Sequence, residues 1–340
     1  MRVILISSLL AASSAWARPA DPGPLGIVNG DEEKGYPSAV SLGLQFGSQR
    51  QSTCTGSLIA PQIVLTAAHC TQEYVKAGVP PEAIVEVGRV FTAPDVNKGP
   101  AVELSDFTNH PKYDGIDTGL DLPAFDFGVV FLAEPVLGVE PVWFNTEALG
   151  EDVVGERLVS VGYGITSAMT QAGAGIRRSA PIRISGVDGQ FLLSDTSDNP
   201  DKGNICSGDS GGPQYHQDED GRLIQWSIHS WADQNCQQLS GSSRTDKGAE
   251  WILSQVESFY GTTDFCAISG LYADAKCDAY CDAPDPACGP AGAAAWLGLD
   301  GETPGGCAHT GGANPWWIAA FAGAAARTRR RSPGVASPLG

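Results

Sequence analysis

The sequence predicts an all-β protein closed by a C-terminal helix, and three observations carry that expectation. From about residue 27 to 247, short apolar runs alternate with Gly, Pro, Asn and Asp, the pattern of many short strands joined by turns. The first helical spacing comes only near 248–260, where Trp251, Ile252, Val256, Phe259 and Tyr260 recur on one face. The 340 residues include 42 glycines and are 42% hydrophobic, which fits a folded, loop-rich chain able to bury a core and argues against disorder. No repeat of solenoid length is visible. The net charge of −18, from 21 basic and 39 acidic side chains, repels nucleic acid and anionic lipid surfaces as main partners.

Each segment follows in order. Residues 1–17 join Arg2, an apolar run over Val3–Ala12 and the exit Ala15-Trp16-Ala17, the layout of a secretory signal peptide cut after Ala17. Export places the remainder where disulfides persist. Residues 18–26 form a short proline-rich pro-segment. In the body, Ala39–Leu42, Ser57–Ile59, Ile63–Leu65, Ile84–Val87, Val129–Leu132, Leu158–Val161 and Leu223–Ile228 read as strands. Residues 261–306 differ in kind, because Cys266, Cys277, Cys281 and Cys288 fall among Asp, Gly and Pro with almost no apolar periodicity. Too little core exists there to fold without staples, so two disulfides are expected, in any of three pairings. Their spacing is unusual for zinc, whereas Asp274, Asp278, Asp282 and Asp285 are hard oxygen donors of the kind calcium takes. Residues 307–340 join Cys307, a short apolar stretch over Trp316–Ala326 and the arginines 327, 329, 330 and 331. No segment reaches the roughly 20 apolar residues of a membrane-spanning helix.

Three short stretches carry chemistry. Thr66-Ala67-Ala68-His69-Cys70 sets a histidine after an apolar run, Asp126-Phe127-Gly128 opens a strand with a carboxylate, and Gly208-Asp209-Ser210-Gly211-Gly212-Pro213 holds a serine among glycines. A serine hydroxyl is a weak nucleophile that needs a base and a group to orient that base. His69 can take the proton, Asp126 can hold the ring in the required tautomer, and the backbone N–H groups of Gly208 and Ser210 can converge on an oxyanion. Asp126 is preferred over Asp114, Asp117 and Asp121, since Pro123 would spoil a strand opening at Asp121. The same glycines satisfy the G-x-S-x-G elbow of α/β-hydrolases, but the alternating β-α units of that fold are missing. Asp126-Phe127-Gly128 spells the kinase D-F-G motif with no other kinase signature beside it.

Taken in order, these stretches resemble the chymotrypsin/trypsin family of serine proteases over about 27–258, with Ile27-Val28-Asn29-Gly30 similar to the family's mature N-terminus. The resemblance implies two six-stranded antiparallel β-barrels, a catalytic triad of His69, Asp126 and Ser210, and hydrolysis of protein or peptide substrates through an acyl-enzyme, with no cofactor or metal. It implies disulfides Cys54–Cys70 and Cys206–Cys236. It also implies activation by an ion pair between the freed amine of Ile27 and Asp209, although Leu25-Gly26 stands where the family usually offers Arg or Lys. Asn204 falls at the base of the implied P1 pocket, Ser230 and Ala232 on one wall, and Ser240 on the other. Neutral groups there predict an uncharged, small or medium P1 residue. The tail around Cys307 resembles C-terminal sorting tags of surface-exported bacterial proteins of the myxobacterial kind, implying transient membrane attachment and a cell-surface or extracellular location. Cys307 would then be an attachment handle that accounts for the odd count of nine cysteines. The alternative is a catalytically inactive binding module on the same fold, and retention of all three triad positions plus Asp209 favours the enzyme.

Overall fold

The computed structural model describes Ile27 and residues 31–288, apart from Lys34, Asp114, 116–123, 198–202, 219–220, Ala275, 279–280, Asp282 and Pro284. The expected signal peptide, pro-segment, tail with Cys307 and rival carboxylates Asp114, Asp117 and Asp121 lie outside the described residues. So does all of 289–306 within the acidic segment.

After β1 (Asp31–Glu32), a closed six-stranded barrel is built from β2 (Ala39–Phe46), β3 (Gln49–Ala60), β4 (Ile63–Thr66), β5 (Gly88–Phe91), β6 (Ala101–Asn109) and β7 (Gly128–Leu132). Its strands pair antiparallel in the order β2-β3-β4-β7-β6-β5. Val40, Leu58, Leu65, Val90, Leu104 and Val130 fill a common core. Two helices hang on this barrel, α1 (His69–Lys76) and α2 (Pro81–Val87). The second corrects the strand expected at Ile84–Val87. Pro80-Pro81 pre-sets the first turn, with Pro81 in the opening position and Glu82 on the positive end of the helix. Of this helix only Ile84 is buried, and the apolar run turns into strand at Gly88.

The second half is a nine-stranded sheet, a half-barrel. It contains β8 (Trp143–Phe144), β9 (Arg157–Gly162), β10 (Arg178–Arg183), β11 (Gly186–Val187), β12 (Phe191–Asp195), β13 (Pro213–Gln217), β14 (Leu223–Ala232) and β15 (Leu239–Arg244), with β1 returning to pair with β10. The all-β architecture and closing helix are those the sequence predicts. That helix, α3 (Thr245–Tyr260), buries Gly248, Ala249, Ile252 and Val256 against the barrel and stops at Gly261 in the left-handed conformation. Gly248 lies so close to the Phe127 ring that a Cβ there would stand 2.8 Å from it. The helix thereby braces the loop that carries Asp126.

Four disulfides lie among the described residues: Cys54–Cys70, Cys206–Cys236, Cys266–Cys281 and Cys277–Cys288. The last two interlace and choose one of the three pairings the sequence left open. This segment does not hang free. Its short helix α4 (Phe265–Ser269) packs Phe265 and Ile268 onto the core, with the Phe265 ring 5.4 Å from Trp143 and 5.9 Å from Phe144. No described helix is long and apolar enough to cross a membrane.

Candidate active site

The site forms where the barrel meets the half-barrel. Strand β4 ends at Thr66 and α1 begins at His69, so the histidine is the first residue of a helix whose opening N–H groups lack intrahelical partners. Asp126, fully buried just before β7, answers two needs at once. One carboxylate oxygen accepts the His69 backbone N–H at 3.0 Å, and the other accepts the ring Nδ1–H at 2.8 Å. That second oxygen also accepts the Ser230 hydroxyl at 2.6 Å, from the far half of the molecule. Three donors thus fix the carboxylate, and the imidazole is left with Nε2 as its acceptor face.

Ser210 is held by its backbone. The Thr55 N–H donates to the Ser210 carbonyl at 2.9 Å, and the Thr55 hydroxyl donates to the Gly208 carbonyl at 2.8 Å. Thr55 sits beside Cys54, whose disulfide reaches Cys70 next to His69, so one strut links the serine loop and the histidine. Gly208 and Gly211 take left-handed φ values of 92° and 79°, and a Cβ on Gly211 would stand 2.1 Å from Thr66 Oγ1. No hydrogen bond joins the Ser210 hydroxyl to His69, and such bonds often tighten only when substrate is bound. Among the described residues, the N–H groups of Gly208 and Ser210 donate to no protein acceptor. Those of Asp209, Gly211 and Gly212 donate to Cys206, His229 and Asp209 carbonyls at 3.0, 2.7 and 2.8 Å.

A family model described as Trypsin matches residues 27–252. The chain belongs to the trypsin family. It is similar to a vitellin-degrading protease of Bombyx mori, 26% identical over 235 residues covering 64% of this chain and 81% of the relative. It is also similar to a trypsin of Simulium vittatum, 29% identical over 193 residues covering 52% and 70%. A serine protease of Scolopendra subspinipes is 24% identical over 230 residues, covering 62% and 78%. Membership makes the chain a serine protease by family.

The other expected site residues of this trypsin-family chain scatter around that centre. Ile27 is buried against Ala180, Ile182 and Ile205, with Ala232 packed on the same cluster. Asn204 is fully buried, its Oδ1 accepting the Ile205 N–H at 2.9 Å and its Nδ2 without a partner. Ser240 is buried on β15 opposite Ala232. Ser230, expected on the pocket wall, also puts its hydroxyl on Asp126, a contact that local sequence does not reveal because the two lie 104 positions apart. As for metal, Cys54, His69 and Cys70 bring ligand atoms together, but the two sulfurs are already bonded to each other.

Two buried ionisable groups behind the serine loop complete the electrostatics. Asp209 accepts N–H bonds from Gly164 and Cys206, each at 2.8 Å. Burial pushes its carboxyl up to about 7, against those bonds and the charge of Arg178. His229, bonded through its backbone to Gly211 and Gly212, is driven by burial down to about 3, with the Val161 carbonyl opposing. For His69, burial opposes protonation, but the charge of Asp126, its hydrogen bond and the charge of Glu73 prevail, and the ring titrates above 6.5.

These shifts predict a stability profile. His229 is neutral in the fold, so its contribution is present above pH 6.5 and is lost as pH falls toward 3. Asp209 in the uncut chain runs the other way, since the fold favours its protonated form and loses stability as pH rises from 3.8 to about 7. The two trends oppose each other through the mildly acidic range. In His229→Gln, denaturant midpoints of the uncut chain should fall steadily as pH rises from 4 to 7. A profile parallel to the parent's would show that His229 is not the compensating group.

Proposed function

We propose that this chain is a secreted serine endopeptidase, made as an inactive precursor, that cuts peptide bonds through Ser210, His69 and Asp126. The observation that carries the reading is the relay in which Ser230 and Asp126 fix the His69 ring beside a backbone-pinned serine loop. Ser210 Oγ attacks the scissile carbonyl while His69 Nε2 takes its proton. Asp126 stabilises the resulting imidazolium without itself taking that proton. The uncommitted N–H groups of Gly208 and Ser210 receive the oxyanion, and His69 then protonates the departing amine. Water repeats the sequence on the acyl-enzyme.

Asp209 supports the activation step, because a carboxyl raised to about 7 in the uncut chain gains from a cation placed beside it. The amine freed at Ile27 is that cation in this reading. The unpartnered Nδ2 of buried Asn204 supports a P1 pocket whose base offers a neutral donor, hence an uncharged P1 residue of small or medium size. The signal peptide and the Cys307 tail complete the proposal, the first exporting the chain and the second holding it at the cell surface until processing.

Peptide-library cleavage by the chain beginning at Ile27, beside the chain beginning at Arg18, tests this. The Ile27 form should be at least tenfold more active and should cut after uncharged residues. Equal activity of the two forms removes the activation step, and a tenfold preference for Arg or Lys removes the pocket assignment. Absence of both cleavage and fluorophosphonate labelling at Ser210 would leave an inactive binding module.

A further inference from the structure

We propose that the disulfide-stapled segment after α3 binds a calcium ion through Asp278 and Asp285. This site shares no residue with the candidate active site. Asp278 is only 1% exposed, and neither of its carboxylate oxygens accepts a hydrogen bond. No other described buried carboxylate stands like this. Asp126 has three donors, Asp209 has two N–H groups, and Asp246 takes two bonds from the Arg244 guanidinium at 3.0 and 2.8 Å. The one charged partner of Asp278 among the described residues is Lys276, whose ammonium pairs with one oxygen at 3.6 Å, beyond hydrogen-bond reach, from a side chain 64% exposed. A buried carboxylate left without donors is costly, and a hard cation is the simplest group that removes the cost.

Asp285 supplies the second ligand. It is also buried, and its carboxylate accepts the backbone N–H of Asp278 at 2.7 Å and that of Ala287 at 2.8 Å, which sets it beside the Asp278 backbone and leaves further lone pairs. Cys266–Cys281 and Cys277–Cys288 hold this turn from both sides and take every nearby sulfur out of play. An oxygen-only donor set of adaptable shape suits calcium over zinc or copper, with water completing six to eight ligands. Of the four aspartates singled out in the sequence, Asp274 is exposed and caps the Lys276 N–H at 2.9 Å, and Asp282 lies outside the described residues. Two carboxylates and several waters make a weak site, with a Kd on the order of 10⁻⁴–10⁻³ M as in extracellular modules.

Equilibrium dialysis of the full chain against calcium alone tests the site. One saturable ion in that range should be lost, by at least tenfold in affinity, in Asp278→Asn. Absence of saturable binding in the parent, unchanged binding in Asp278→Asn, or equally tight binding of magnesium would each overturn the assignment. Should Asp278→Asn fail to fold, Lys276→Ala decides. Removing the competing ammonium should tighten calcium binding severalfold, and an unchanged Kd would overturn the proposal.

Discussion

Replacing Ser210 with Ala is expected to lower kcat by about 10⁶-fold while leaving the fold intact, and adding His69→Ala should cost almost nothing more. In the proposed mechanism the nucleophile and its base act as one unit, so deleting either removes the same step. What remains, roughly 10³–10⁴-fold over water, should come from the N–H groups of Gly208 and Ser210 and from binding. Steady-state kinetics of the two single variants and the double variant give the test. Additive losses would show that Ser210 and His69 do not work on one proton. Stability should barely move, because Ser210 is anchored through its carbonyl on Thr55 and its side chain makes no hydrogen bond among the described residues.

Asp126→Asn is expected to lower kcat by about 10⁴-fold, the scale of the same change in a well-studied related triad. The cause here is explicit. An amide in place of the carboxylate can present its NH₂ to His69 Nδ1, which favours the tautomer with the proton on Nε2 and blocks that nitrogen as a base. The loss of charge also removes what holds the imidazole above 6.5. The acidic limb of kcat/KM, which in the parent should fall away below a pKa higher than 6.5, is therefore expected to move to lower pH in the variant. An acidic limb that stays in place would mean that His69 is not the titrating base.

The candidate site residues of this protein are more legible in its sequence than the arrangement that supports them. His69, Asp126 and Ser210 stand in short stretches whose composition follows from local needs, such as the left-handed turn at Gly211, and local needs can be read locally. The strands of both halves follow from the same kind of reading. Ile84–Val87 did not, because an apolar run of four is ambiguous and the deciding signal, Pro80-Pro81, lies just upstream. Ser230 stood out in the sequence as a pocket residue, whereas its bond to Asp126 depends on how two sheets dock. The same holds for Thr55, an ordinary strand residue until the fold places it against the Ser210 carbonyl. Asp278 and Asp274 look alike in the sequence, and only burial separates the one that lacks donors from the one that caps a turn.

The division of the site between the two halves has a consequence for a chain that is made from one end. His69 and Asp126 are synthesised with the barrel, whereas Ser210 and the Ser230 hydroxyl arrive with the half-barrel, and α3, which braces Phe127 behind Asp126, comes later still. A nascent chain therefore holds a histidine and a carboxylate but no nucleophile, and then a nucleophile before its helper carboxylate has been locked. In the proposed mechanism the catalytic parts would come together only at the last docking event, so the order of synthesis withholds a complete site until the chain is finished, ahead of any cut at Ile27.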